Sequence, residues 1–504
     1  MIDRKRIARN TIYMYIRMLI IMIVTLFTSR VILDKLGISD YGLYNAVAGA
    51  VGLLSFLNNT LSKGTSRFLT FDLGQQNAAR LKQTFSTAFY MHLCLALIIV
   101  IILETGGLWF INHQLLIPSE RLFAAEWVYQ ISIFTAVISI LQVPYVALII
   151  AHEDMSIYAY ISIFEVLGKL FVVYLLIHSP IDILIYYAVL IACMQLLVAL
   201  IYLTFCKLKY IESKLKLTFE KSIFKEMLGF SGWNIIANLS ETLRVQGANV
   251  LINMFFHPAL VAAQAIANQV TAALMQFVNS FITALNPQII KLHATKDFEN
   301  SRKLTLDSTI LVFDLVLLLC LPFFFVIGTI FNLWLVEVPE YAVIFTRYAL
   351  VFQILGVFSV TFYTPMLASG KLKLNSMAAL LICVGQFVIL YFLYRAGFSV
   401  MFLQYILLIS TIVFAFIVKP YILCTEIGYS LKEIIPCYIN CGKVFISSTV
   451  LSYLASLFLD TSLGQQIILF TLIMLIVLIC SFVFMELNMR NQIVGFIKSK
   501  LFKH

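Results

Sequence analysis

The chain has 504 residues, of which 62% are hydrophobic and only 12% charged, and its mean hydropathy is +0.97. A soluble domain cannot carry that balance, because too little of its sequence can be hidden from water, so the solvent for most of the chain is lipid. The net charge of +10 calls for no nucleic-acid partner, since loop topology and attraction to anionic membrane lipids account for it.

A bilayer core of about 30 Å takes about 20 apolar residues per helix. Fourteen such runs are predicted, at 11–33, 42–62, 84–103, 123–150, 157–177, 183–205, 228–256, 262–290, 304–330, 342–367, 375–394, 400–418, 444–459 and 465–487. They are longer than the roughly ten-residue alternating segments of a β-barrel, so the predicted fold class is an all-α polytopic membrane protein. Arg17 interrupts the first run and no small-residue cleavage site follows before Asp34, so the first helix is expected to be retained.

Of the 35 Lys and Arg residues, 27 fall in the N-terminal tail, the C-terminal tail and the loops of one side, against three (Lys35, Arg121 and Arg395) on the other. That asymmetry predicts both termini in the cytoplasm, and an even helix count agrees. The loop at 104–122 is then external and the one at 206–227 cytoplasmic. The latter, KLKYIESKLKLTFEKS and its flanks, reads as a linker between an N-terminal bundle at 1–205 and a second bundle at 228–420, leaving a final helix pair and tail at 421–504. The six helices on either side suit a parallel repeat.

The nine cysteines lie in spans or near the cytoplasmic side and imply no disulfide framework. Cys424, Cys437 and Cys441 lack the short paired spacing of a metal site, and no metal or cofactor is expected. There is no Walker A sequence and no H-E-x-x-H, and no extramembrane stretch exceeds about twenty-five residues, too short for a folded soluble domain.

Polar groups at membrane depth are therefore the informative feature, because they are costly there and face a partner or a cavity. At 100° per residue, Asn234, Asn238, Glu241, Arg244 and Asn249 share a broad face of the seventh helix, and Gln264, Asn268, Thr271, Asn279 and Asn286 a stripe of the eighth. Amides in that number suit hydroxyl-rich ligands, each offering a donor and an acceptor; helix-to-helix hydrogen bonding is the competing use. Glu165 and Lys169 are spaced i, i+4, and Glu241 and Arg244 i, i+3, spacings at which each pair can neutralise itself. Arg17 and Asp314 have no local partner.

The sequence resembles the Wzx-type polysaccharide repeat-unit flippases of the MOP (multidrug, oligosaccharidyl-lipid, polysaccharide) exporter superfamily. The resemblance rests on the opening RKRIARNTIYMYIRMLIIMIVTLFTSRVILDKLGISDYGLYNAVAG, SRFLTFDLG after the second helix, and FSGWNIIANLSETLRVQGANVLINMFF with TALNPQI in the second half; LGISDYGLY is its most telling stretch. It implies two six-helix lobes around a central cavity, two extra helices, and export of undecaprenyl-diphosphate-linked oligosaccharide across the inner membrane of a bacterium by alternating access, in company with polysaccharide polymerase machinery. A cationic lumen goes with that family. By helix position Arg17, Lys169 and Arg244 could match it as head-group ligands, with Asn234, Asn238, Asn249, Gln264, Asn268 and Asn279 along a sugar path and Glu165, Glu241 and Asp314 as coupling or ion-pair groups. Gln264 in AAQAIA stands where relatives often carry a basic residue. Two rivals are a cation-coupled multidrug antiporter of the same superfamily, which would favour acids in the lumen, and a polytopic polymerase or glycosyltransferase, which tends to need a larger external loop than 104–122.

Overall fold

In a computed structural model, residues 4–54, 61, 65–66, 68–73, 75, 77–152, 154–215, 220–459, 462–485 and 490 are described. The described residues are almost wholly helical and contain no strand. In chain order the helices are α1 (Arg4–Gly52), α2 (Ala78–Ile102), α3 (Leu122–Ala151), α4 (Met155–Leu175), α5 (Ile183–Lys209), α6 (Lys221–Thr242), α7 (Pro258–Ala294), α8 (Phe298–Trp334), α9 (Ala342–Thr361), α10 (Lys373–Arg395), α11 (Phe402–Val413), α12 (Leu431–Leu457) and α13 (Leu463–Phe484). Eleven, all but α1 and α6, are long and apolar enough along their described residues to cross a membrane. With α1 counted as two segments, the fourteen predicted spans all have a helix.

The break in α1 is a single residue. Gly37 sits at φ 77°, ψ 166°, a conformation that an L side chain avoids, so two helices meet without a loop near the start of LGISDYGLY. The rest of that stretch is explained by what it touches. Asp40 accepts from Arg121 Nε at 2.9 Å, and the same guanidinium donates from Nη1 to Asp182 at 2.5 Å. Asp182 in turn caps α5 by accepting from the Leu184 and Ile185 amides. At Gly42 a Cβ would overlap the backbone carbonyl of Pro258, at the start of α7. In SRFLTFDLG, buried Asp72 accepts from Thr84 Oγ1 at 2.5 Å and pairs with Arg80 Nε at 3.1 Å.

Three helices run further than their apolar stretches. α2 continues through a π-helical turn, Leu103–Gly107, into Leu108–Gln114, where the predicted external loop should begin. Tyr129 donates to the Leu103 carbonyl at 2.7 Å, and a Cβ on Gly107 would overlap that hydroxyl, so the turn is shaped around the tyrosine. α11 continues past the predicted end at 418 through π-turns Phe414–Val418 and Leu423–Ile427. α12 starts at Leu431 rather than 444, fixed by a capping box of Ser430 and Glu433. Its first turns carry Lys432, Glu433 and Pro436, which hid them from a reading by hydropathy.

The chain divides into two compact units. The first comprises residues 1–266, 335–342 and 379–403, the second 267–334, 343–378 and 404–504. In the first, α3 packs on α5 and α1 on α4. In the second, α8 packs on α12 and α13. Also in the second, Gly428, at φ 89°, ends α11. Arg302 Nη1 donates to its carbonyl at 3.0 Å, and Lys371 Nζ to that of Glu426 at 2.6 Å. Two cations, Arg302 from the start of α8 and Lys371 from the turn before α10, thus satisfy carbonyls that the helix end leaves unpaired.

Candidate functional site

Arg17, on α1, is half-buried against α4. Its Cζ stands 4.5 Å from the Tyr158 ring centroid and its Nη2 donates to the Tyr158 hydroxyl at 3.3 Å, while Nε is buried with no partner. No carboxylate pairs with it among the described residues. One turn and two turns along α4, Ser162 back-bonds to the Tyr158 carbonyl at 2.7 Å, and Glu165 accepts from Lys169 Nζ at 2.5 Å. Tyr202 of α5 lies beside Ser162 and within electrostatic reach of both Arg17 and Glu165. The first unit thus gathers one uncompensated cation, one self-neutralised pair and two tyrosines across α1, α4 and α5.

The second constellation lies on α6, which passes through a π-turn, Leu243–Gly247, before continuing as Ala248–Phe255. Arg244 grips Glu241 with both arms, Nε to Oε2 at 3.1 Å and Nη2 to Oε1 at 2.6 Å. The two side chains keep 39% and 62% of their surface. A two-pronged ion pair that open would cost several kcal/mol if it faced hydrocarbon. Behind it, Cys383 of α10 donates to the Ser240 carbonyl at 3.3 Å, and a Cβ at Gly247 would press on the Phe387 ring.

The π-turn also rearranges the predicted stripe. On an uninterrupted α-helix Asn249 and Asn253 stand about 80° and about 120° from Glu241; one extra residue in the turn swings the following segment back by about 100° and brings both within about 20° of it. Asn249 is buried at 5% exposure, and Asn253 fully, beside the second segment of α1. Asn249 Oδ1 and both amide atoms of Asn253 lack a hydrogen-bond partner among the described residues, a costly state for enclosed amides. Asn253 was not among the sequence candidates, because its position on the wheel is right only once the π-turn is known.

The remaining candidates are dispersed. The side chain of Asn234 lies outside the described residues, as does that of Asn286. Asn238 is half-buried, Gln264 buried, Asn268 half-buried and Asn279 exposed, and each is engaged by other groups of the chain. Gln264 belongs to the first unit and Asn268 and Asn279 to the second, so α7 passes from one to the other along its stripe. Asp314 of α8 faces the last two helices. It lies beside Ser481 and Cys441, with both carboxylate oxygens buried and outside hydrogen-bond geometry.

One cation was missed altogether. Lys419, expected in a cytoplasmic loop, is 1% exposed inside α11, between its two π-turns. Its Nζ stands 5.4 Å from the Tyr363 ring and 5.2 Å from that of Phe414, with no carboxylate or hydrogen-bond partner among the described residues.

Solved structures with a similar fold include membrane transporters. The fold is similar to the lipid II flippase MurJ in an inward closed conformation, with a TM-score of 0.70 and 13% identity, covering 96% of this chain and 100% of that one. It is also similar to an inward-facing multidrug resistance MATE family transporter of the MOP superfamily (TM-score 0.66, 14% identity, 82% of this chain and 95% of that one). A MOP superfamily transporter from Pyrococcus furiosus, described by the reverse polarity of its binding pocket, gives a TM-score of 0.61 at 15% identity over 83% of this chain and 94% of that one. At such identities the likeness is one of fold. No curated protein matches in sequence. A model of the family described as polysaccharide biosynthesis protein matches residues 7–293, more than half of the chain, and this multi-pass membrane protein belongs to that family.

Proposed function

We propose that the protein is a flippase that carries undecaprenyl-diphosphate-linked glycan repeat units across the cytoplasmic membrane of a bacterium by alternating access, with both termini in the cytoplasm, and delivers them to polysaccharide polymerisation. The family supports the glycan and the fold supports transport. The observation that carries the reading is Arg17: a cation at membrane depth that donates to a tyrosine hydroxyl and lies over its ring but has no carboxylate partner among the described residues. A diphosphate cannot cross hydrocarbon unaided, and a fixed guanidinium replaces part of its hydration. Lys169 and Arg244 are further head-group candidates, each held in reserve by its own carboxylate, and the α6 and α7 amides are candidates for the sugar path. No covalent step is required of any of them.

Cells lacking the protein should accumulate the lipid-linked repeat unit on the cytoplasmic face with its synthesis intact. At matched membrane abundance, Arg17→Gln should lose most export. Glu241→Gln should keep a good part of it, and Glu241→Gln with Arg244→Gln should lose it, because a purely structural pair tolerates joint neutralisation. Normal export by the double variant would make Arg244 structural. Transfer or extension of glycan by the purified protein in detergent, with no membrane to cross, would replace the flippase reading with an enzymatic one.

A further inference from the structure

Within the first unit, α1, α2, α3 and α5 line a half-open cavity of about 270 Å³ that none of the sequence candidates lines. Its polar wall is Tyr44, Ser132, Thr135, Ser139 and Gln195; the rest is isoleucine, valine, leucine, alanine and glycine. Ser139 lies about 26 Å along α3 from its start and about 18 Å from its end, at 1.5 Å per residue, so these hydroxyls sit near mid-membrane.

Three features define the guest. First, no Lys, Arg, His, Asp or Glu among the described residues lines the cavity, so they offer a diphosphate no counter-charge there. Second, the polar groups are unspent. Hydroxyls in these helices mostly donate back to a carbonyl one turn earlier, as Thr135 does to Ile131 at 2.8 Å and Ser162 to Tyr158. Ser132 and Ser139, on the same stripe as Thr135, have no hydrogen-bond partner among the described residues. Gln195 gives one N–H to Gln142 at 3.1 Å and keeps a second N–H and its carbonyl oxygen. A prenyl chain would leave all of these unmade, at a cost. Third, the volume equals about nine waters at roughly 30 Å³ each, and lies just under the roughly 300–1,000 Å³ of drug-sized ligand sites. That suits one ring with its hydroxyls. An aromatic wall is supplied by Tyr44, braced edge-on by Tyr187 with ring centroids 4.9 Å apart.

We propose that this cavity is a subsite for one uncharged pyranose unit of the lipid-linked glycan, apolar ring face towards Tyr44 and the aliphatic walls and hydroxyls towards Ser132, Ser139 and Gln195. The proposal rests on the flippase reading and adds a glycan contact separate from any head-group cation. It also makes the sugar, and not the carrier lipid alone, a determinant of what is bound.

The test uses the purified full chain in lipid nanodiscs and two probes: the lipid-linked repeat unit extracted from cells lacking the protein, and undecaprenyl diphosphate without sugar. Ser132→Ala with Ser139→Ala removes the hydroxyls and keeps the shape; Ser139→Leu fills the space. Each should weaken binding of the glycan-bearing lipid about tenfold or more, the scale of a lost hydrogen bond to a buried group, and leave undecaprenyl diphosphate unchanged. The double alanine variant guards against misfolding of the filled one, and an unaltered melting temperature certifies it. Unchanged binding of the glycan-bearing lipid by the double variant, or equal weakening of both lipids, overturns the subsite while the flippase reading stands. If the wild-type protein binds neither lipid, the flippase reading itself falls, and the subsite with it.

Discussion

Lys419 offers a test of the energetics. Its ammonium is enclosed in α11 with two aromatic rings at 5.2 and 5.4 Å and no anion among the described residues. Two desolvated cation–π contacts return about 4 kcal/mol at most, whereas removing an ammonium from water costs several kcal/mol even after relaxation. The balance predicts that Lys419→Met, nearly the same length and with a thioether that packs well on rings, stabilises the protein by roughly 1–3 kcal/mol. Lys419→Ala, which leaves the space empty, should instead destabilise it by roughly 2–4 kcal/mol. The assay is apparent melting temperature in one detergent at a fixed scan rate, because unfolding of such proteins is rarely reversible; the methionine variant should melt several degrees above the wild type and the alanine variant below it. A methionine variant that melts below the wild type would refute the reasoning, since it would mean that the folded state supplies Lys419 with an anion.

Gly42→Ala should abolish accumulation of folded protein in the membrane, because its methyl group would meet a backbone carbonyl that cannot move aside; quantitative blotting of membranes checks it, with Gly106→Ala, whose Cβ meets nothing, as the tolerated control. In the turn between α3 and α4, burial pushes the Asp154 carboxyl up, but hydrogen bonds from Lys209 and Tyr210 outweigh it and hold the group below its usual range. Its stabilising contribution is then complete above the unfolded value of about 3.9 and lost as pH falls through the lower folded value. Asp154→Asn should therefore cost about 1 kcal/mol at neutral pH, the scale of a part-exposed pair, and progressively less as pH falls below the unfolded value, as melting over a pH series would reveal; a deficit that does not shrink with falling pH would sink the argument. For topology, single cysteines at Glu120 and Lys214, both exposed, should differ in labelling by an impermeant thiol reagent on spheroplasts, Glu120→Cys reacting and Lys214→Cys not. Ser213 is unsuitable, being buried with its hydroxyl bonded to the Cys206 and Tyr210 carbonyls.

Helix number was legible because lipid imposes it: each crossing needs its own apolar run, whatever it packs against. Helix ends were less so. Gly106, Gly107 and Glu104 look like a loop, yet a tyrosine hydroxyl from α3 takes the place of the water that would have ended α2. Ion pairs at i, i+3 and i, i+4 could be read from spacing alone, and Glu165 with Lys169 and Glu241 with Arg244 formed as expected. Contacts between distant segments could not. Arg17 meets Tyr158 across 141 residues, and nothing local announces Arg121 as the tie between Asp40 and Asp182. The stripe Ser132, Thr135, Ser139 and Gln142 was there to be read, but short hydroxyl side chains in an apolar helix are usually absorbed by their own backbone, and only the structure distinguishes those that are not.

Loop cations bear on membrane insertion before any tertiary contact exists, since they bias which side each helix end stays on. Arg302 and Lys371 later serve an unrelated purpose, closing the end of α11, and Lys419 withdraws from the loop side altogether. The same residue thus works twice, first as a topological signal during synthesis and afterwards as a structural part. A neutral substitution at any of the three mixes an effect on biogenesis with an effect on stability. Arginine and lysine exchanged for one another would preserve the first role while altering the second, which allows the two stages to be separated in time by pulse labelling.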